Sequence, residues 1–158
     1  CTPSASAGRT ASSGWRVDAF DPSEQGKLKC DLLSKEFSVN VNYVIADTYG
    51  FTPDASGYDA IVLSYFHLPA SERRAIYRLL AGWLNPGGHI ILEAFSKGQL
   101  EKNSGGPKDP DWLFSKQDLS EDFSSLEILS CEETETVLEE GMYHQGLASV
   151  VRLSALKS

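Results

Sequence analysis

Short apolar stretches alternate with polar, breaker-rich ones along this chain, and their period switches between that of a strand and that of a helix. Val17, Ala19 and Phe20 make a short strand signal that closes at Asp21-Pro22-Ser23. Ser23 has the chemistry of a helix N-cap, and Glu24 in the first turn suits the helix dipole. The helix so predicted carries Leu28, Leu32, Leu33 and Phe37 at a spacing of three to four and ends near Ser38. Val39 to Ala46 is β-rich and alternating, and turns polar at Asp47-Thr48. Residues 51–57 are loop by every breaker signal. Tyr58 to Phe66 then carries a continuous apolar run, the pattern of a strand buried on both faces. A helix is predicted over 71–84, capped by Ser71, with Ile76, Leu79, Leu80, Trp83 and Leu84 inward. Asn85-Pro-Gly-Gly88 stops it and forces a tight turn, and His89 to Phe95 reads as another fully buried strand.

The remaining signals set the architecture. A long polar loop, Ser96 to Pro110, contains Lys108 and Asp109. A loop of that length in a compact domain is expected to act as an active-site lid. A short helix near 115–123 is capped by Ser115, and strands are predicted at 126–131, 135–138 and 148–156. Residues 139–146 suit a hairpin connection. Residues 1–14 are small and polar, with no hydrophobic period, and alone read as loop or linker. Strands alternating with helices, closed by a hairpin, predict an α/β fold: a doubly wound, mostly parallel sheet with a C-terminal antiparallel hairpin strand. At 158 residues the chain fits a single domain spanning 1–158.

Composition narrows the function classes. Hydrophobic content of 41% and charged content of 23% are those of an ordinary globular protein. A net charge of −8 with no Lys/Arg cluster argues against nucleic acid as a partner. The longest apolar runs, Ala60–Leu63 and His89–Leu92, are far short of a membrane span, so no membrane partner is expected. Cys1, Cys30 and Cys131 lie far apart without CxxC spacing, which suggests neither a zinc site nor a disulfide framework. They read as reduced thiols of a cytoplasmic protein. A second reading of Cys1-Thr-Pro-Ser is the mature end of a bacterial lipoprotein with a flexible tether.

Two strand signals end in acids, Asp21 and Asp47. A carboxylate only accepts hydrogen bonds, and strand ends at a topological switch point face a ligand crevice. The same two acids are equally good turn and cap residues, Asp21-Pro22 being a favoured turn start. His67 follows the third strand signal beside Tyr65 and Phe66, as a general base or as a packing residue of the loop. Tyr143 and His144 lie in the hairpin connection, where a catalytic role on the substrate side competes with a plain polar loop. His89 starts a strand and reads as structural. No HExxH-type spacing is present, so no metal is expected. No Ser/His/Asp order or activated cysteine signature marks a nucleophile.

Seven blocks in order give the chain a family likeness. They are Val-Asp-Ala-Phe-Asp-Pro-Ser (17–23), Ala-Asp (46–47), Tyr-Asp-Ala-Ile-Val (58–62), Phe-His-Leu-Pro (66–69), Asn-Pro-Gly-Gly-His-Ile-Ile-Leu-Glu-Ala-Phe (85–95), Gly-Gly-Pro-Lys-Asp-Pro-Asp (105–111) and Glu-Gly-Met-Tyr-His-Gln-Gly (140–146). Over residues 15–156 the chain resembles the class I S-adenosylmethionine-dependent methyltransferases, and more narrowly their small tellurite-resistance-type branch. The resemblance implies a Rossmann-like sheet and S-adenosyl-L-methionine as cofactor. It places Asp21 on the ribose hydroxyls and Asp47 on the adenine amino group, with Gly8, Ser23, Thr48 and Ser64 also on the cofactor. It implies methyl transfer to a small-molecule acceptor, by a monomer or weak homodimer.

The front of the chain departs from that pattern. Only Ser6-Ala-Gly8-Arg9-Thr-Ala11 stands where the family has its first strand and Gly-x-Gly turn, and residues 1–14 read as a degenerate remnant. The first strand is central in such a sheet. Without it, two interior edges would bury unpaired backbone groups at about 1–3 kcal/mol each. Sequence of a longer protein is therefore expected to precede Cys1. Two alternatives stay open: a non-catalytic binding module on the same fold, and a dinucleotide oxidoreductase, which the Asp47 position and the Asn-Pro-Gly-Gly block disfavour.

Overall fold

Ser23 caps the first helix as predicted, its hydroxyl accepting the Gly26 backbone N–H at 3.0 Å. The computed structural model describes residues 7, 10–54, 56–139 and 145–158. Their contacts divide into two compact units, Cys1–Pro53 and Asp54–Ser158.

In the first unit, β1 (Val17–Asp21), α1 (Glu24–Glu36) and β2 (Val41–Ile45) form a βαβ unit. The strands pair in parallel, from Val17 opposite Val41 to Asp21 opposite Ile45. Helix α1 lies close on β2 because Gly26 has no side chain: a Cβ there would stand 2.5 Å from the Tyr43 hydroxyl. Cys30 is its buried residue. The predicted apolar stripe does not turn inward; Leu28, Leu32 and Phe37 are 57%, 68% and 43% exposed. Residues 10–12 are helical rather than loop, and the chain leaves them at Gly14, whose φ of +90° suits glycine.

The second unit contains β3 (Tyr58–Ser64), α2 (Ala70–Trp83), β4 (Leu84–Phe95), α3 (Lys116–Asp122), β5 (Glu127–Glu139) and β6 (Gln145–Leu156), with 3₁₀ turns at Lys97–Glu101 and Pro110–Trp112. The sheet order is β3-β4-β6-β5, with β3 and β4 parallel and the other pairs antiparallel. The hairpin is longer than predicted. The expected strands at 126–131 and 135–138 are one strand, β5, interrupted by an irregularity between Ile128 and Ser130. Ser115 caps helix α3 as predicted, and Asp118 completes a capping box with it.

Helix α2 starts and stops differently from the prediction. Pro69 is its N-cap and Ser71 lies inside it; the Ala70 N–H is met by Asp111 Oδ2 at 3.3 Å. At the other end Asn85-Pro-Gly-Gly88 is not a turn between elements but an irregularity within the β4 ladder, between the pairs Tyr58–Leu84 and Ala60–His89. Gly87 takes a φ of +79°, and a Cβ on Gly88 would press on the Asn85 and Tyr58 carbonyl oxygens at 2.8 and 3.0 Å. The Lys157 ammonium donates to the carbonyls of Ala81 and Leu84 at 3.0 and 2.7 Å, placing a cation where the helix dipole is negative.

Helices α2 and α3 pack on one face of this sheet. Ile76, Tyr77, Leu80, Leu119 and Phe123 meet Leu63, Ile90, Leu92, Ala94, Val151, Leu153 and Ala155 there, all buried. Leu79 points away from it, 40% exposed, and Arg73 is buried instead. On the opposite face Val62 and Ile91, paired in register, are 52% and 48% exposed. β3 and β4 are thus covered on one face along their middle, against the expectation of strands buried on both.

One buried polar atom in this core has no partner among the described residues. It is the Tyr77 hydroxyl, whose ring is stacked on Phe123 at 4.5 Å. Because an unmet hydroxyl contributes only its desolvation cost, Tyr77→Phe is expected to leave stability unchanged or raise it by up to about 1 kcal/mol. Urea denaturation checks this; a loss above that size would mean that the hydroxyl has a partner.

Candidate functional site

The first unit brings four of the predicted cofactor residues to the carboxyl ends of two adjacent parallel strands. Asp21 closes β1, and its Oδ1 accepts the Ser23 N–H at 2.8 Å. Asp47 lies two residues beyond β2, and its Oδ1 accepts the N–H groups of Tyr49 and Gly50 at 3.1 and 2.7 Å. Both acids therefore do the turn work that their sequence allows. Each does so with one oxygen; the Oδ2 atoms of both accept no bond among the described residues. Ser23 is committed to its cap, and Thr48 is buried.

Packing fixes these strand ends. Phe20 stacks on Phe51 at 4.4 Å, which ties the end of β1 to the chain following Asp47. Tyr43 is buried beside them. Burial, with the Asp21 and Cys30 charges adding to it, pushes its phenol up to about 12, so it stays a neutral group near the Asp21 carboxylate.

In the second unit the carboxyl end of β3 carries the substrate-side candidates. Ser64 is the last residue of β3, in register with Glu93. Tyr65 follows in the left-handed region, φ +51°, a conformation that costs a non-glycine residue energy and that surrounding contacts must hold. Its N–H donates to the Glu93 carbonyl at 2.7 Å, and its hydroxyl to Glu93 Oε1 at 3.1 Å. Glu93 Oε2 in turn accepts from Arg152 Nε at 2.7 Å. Burial, and then the Glu93 carboxylate, hold the Tyr65 phenol well above its usual value, so it is a fixed donor at neutral pH. Glu93 and Arg152 were not among the residues that sequence reasoning selects. The signal available was a lone acid inside the apolar run of β4.

His67 is held at both ring nitrogens. Its ring lies between Phe95 and Phe114, stacked at 5.6 and 5.2 Å. Nδ1 stands 2.8 Å from the Trp112 carbonyl oxygen, and the Phe95 N–H points at Nε2 from 3.4 Å. A carbonyl only accepts and an amide N–H only donates, so the ring is neutral with its proton on Nδ1. Burial holds its pKa below the usual histidine value. The lone pair that a general base needs is engaged by the Phe95 N–H.

The long loop is fastened by buried hydrogen bonds. Gln99, fully buried, donates to Ser104 Oγ and the Gly105 carbonyl, both at 2.9 Å, and accepts the Ser149 N–H at 2.8 Å. Ser104 donates to the Leu147 carbonyl, and Gly106 lies so close to the Phe95 ring that a Cβ would stand 2.8 Å from it. Lys108 and Asp109 serve the loop itself, Lys108 donating to the Lys102 carbonyl and Asp109 accepting the Asp111 N–H. Trp112 is 40% exposed beside them. Gly8, Tyr143 and His144 lie outside the described residues. Among the described residues no group of His, Cys, Asp and Glu could hold a metal ion, and no helix is long and apolar enough to cross a membrane.

Comparison with solved structures identifies the fold. TehB from Haemophilus influenzae matches with a TM-score of 0.70 at 18% identity, over 92% of this chain and 51% of that one. The chain thus spans about half the length of TehB. A SAM-dependent methyltransferase from Methanosarcina mazei matches with a TM-score of 0.71 at 17% identity, over 94% and 85% of the two chains. The N-methyltransferase NodS from Bradyrhizobium japonicum, in complex with S-adenosyl-L-homocysteine, matches with a TM-score of 0.64 at 13% identity, over 90% and 66%. No protein-family model matches the sequence, and comparison with curated proteins gives no match. The fold is therefore the Rossmann-like α/β fold of these methyltransferases, parallel at β1–β2 and β3–β4 and antiparallel in the hairpin.

Proposed function

We propose that this chain binds S-adenosyl-L-methionine and takes part in methyl transfer to a small-molecule acceptor. The observation that carries the reading is the pair of carboxylates at the ends of adjacent parallel strands, each pinned through Oδ1 and open at Oδ2. Asp21, rigid because Ser23 holds it, suits the ribose hydroxyls as a pure acceptor. Asp47, held by two backbone N–H groups, suits the adenine amino group in the same way. Both anchors are preorganised, so little side-chain freedom is lost when they engage.

When bound, the cofactor supplies an electrophilic methyl group on a sulfonium. The chain's own residues then have mainly to align and to exclude water, because charge is quenched rather than created in such a transfer. This matches what the described residues of the second unit offer: a neutral His67, a protonated Tyr65 and a pinned loop. The tellurite-resistance branch and a cytoplasmic location belong to the same proposal.

Isothermal titration with S-adenosylmethionine, S-adenosylhomocysteine and NAD tests it. Binding of the first two with no response to NAD supports the reading. Failure of all three supports the non-catalytic module, and binding of NAD alone overturns it in favour of a dinucleotide enzyme.

A further inference from the structure

The His67 side chain is engaged at both ring nitrogens and stacks with two phenylalanine rings. It joins three segments that are distant in sequence. Its own backbone follows β3; its ring takes the N–H of Phe95 at the end of β4; and its Nδ1–H holds the Trp112 carbonyl in the second 3₁₀ turn. The two flanking rings, Phe95 and Phe114, belong to the segments that it joins. Those segments are also bonded to each other nearby, Phe114 N–H to the Phe95 carbonyl at 3.3 Å and Lys97 N–H to the Phe114 carbonyl at 2.9 Å.

We infer that His67 is a proton-sensitive latch: its neutral ring closes the 96–114 segment onto the end of β4, and protonation opens it. A second proton can go only to Nε2, where the Phe95 N–H now points. Adding it replaces an acceptor by a donor facing a donor, so the bond to Phe95 is lost and the two N–H groups repel.

The charges around the ring do not rescue the cation. From the end of β3 the neighbour is the neutral Tyr65 phenol, tilted at 6.5 Å. From β4 it is Glu93, both of whose carboxylate oxygens are taken, by Tyr65 and Arg152. From α2 it is Arg73, whose guanidinium lies 5.0 Å from the Phe114 ring centroid, on a ring that also stacks against His67. In the 3₁₀ turn Asp111 is engaged with the Ala70 N–H. Arg73 is itself paired with Asp122 at 2.9 Å, so what opposes the cation is the donor–donor clash at Nε2. The lowered pKa agrees with this geometry. The inference is independent of the methyl-transfer reading and stands or falls without it.

Amide hydrogen exchange of the full chain from pH 7.5 to 4.5, corrected for intrinsic rates, tests the latch. A group whose proton is refused when closed makes opening more frequent by about tenfold per pH unit below its free value near 6.5. Protection of Phe95, Lys97 and Phe114 is expected to fall with that slope and to level off once the closed form also titrates. Protection of the β1–β2 pair should not follow it. In His67→Gln the slope should vanish, while His89→Gln should keep it. Nitrogen-15 NMR of the wild-type imidazoles gives the second readout, which needs no variant to fold: Nδ1 protonated and Nε2 bare, titrating below 6.5. A proton on Nε2, an ordinary titration, or an acid response equal in both units would each overturn the latch.

Discussion

Arg73→Met is expected to lower the free energy of unfolding by about 3–5 kcal/mol. Arg73 and Asp122 face each other at 2.9 Å with side chains 6% and 7% exposed. The guanidinium also lies over Phe114 and donates to the Leu113 carbonyl at 3.4 Å. The pair ties α2 to α3, and its removal from one side leaves a carboxylate buried with only Arg74 nearby, at 3.8 Å and itself half exposed. Burial outweighs Arg73 at Asp122 and holds its pKa above the usual carboxylate value. Without Arg73 it should rise further, so Asp122 would take a proton more readily. The sign follows: a raised carboxyl pKa favours the fold at low pH and loses that contribution as pH rises through it. The deficit of Arg73→Met should therefore be full at neutral pH and shrink on acidification. The double variant Arg73→Met, Asp122→Leu should recover most of it, since a buried ion pair is about as stable as an apolar pair of its shape. Urea denaturation at pH 7 and pH 5 measures all three; equal deficits in single and double variants would show that the cost lies in packing.

Asp21→Ala is expected to weaken S-adenosylhomocysteine binding by about 1.5–3 kcal/mol, roughly 10- to 150-fold. The carboxylate is the acceptor that suits two ribose hydroxyls, and its loss leaves no other acid at the end of β1. The same substitution also removes the bond to the Ser23 N–H, which helps to hold the start of α1. A loss of affinity alone would thus mix binding with local order. Asp21→Asn separates them. Its amide oxygen keeps the Ser23 bond, while the charge and the second acceptor are lost, so affinity should fall as the thermal midpoint stays near wild type. Affinity unchanged in both variants would remove the ribose role and leave Asp21 a turn residue.

Much of the local structure was readable before any tertiary contact was considered. The caps at Ser23 and Ser115, the strand ending in Asp21, the one preceding Asp47 and the C-terminal hairpin all follow from chemistry within a few residues. Such features depend on side chains meeting their own backbone, which a linear pattern records. What failed were statements about which neighbour lies on each side. Leu28 and Leu32 have helical spacing but face outward, because Gly26 and Cys30 form the face that packs on β2. Asn-Pro-Gly-Gly carries every turn signal, yet the Lys157 backbone pairs with Gly87 and Gly88 and keeps that segment within the sheet.

The candidate site divides along the same line. Sequence alone determined that acids stand at the ends of β1 and β2, since both the strand period and the polar break are local. Only the tertiary structure decided that each acid keeps one oxygen open, that the His67 lone pair is engaged by the Phe95 N–H, and that the 96–110 loop is fastened by Gln99. The reason is physical. Whether a polar atom is available depends on what has already bonded to it, and those partners, Trp112 and Phe95 for His67, Ser149 for Gln99, lie 28 to 50 residues away along the chain.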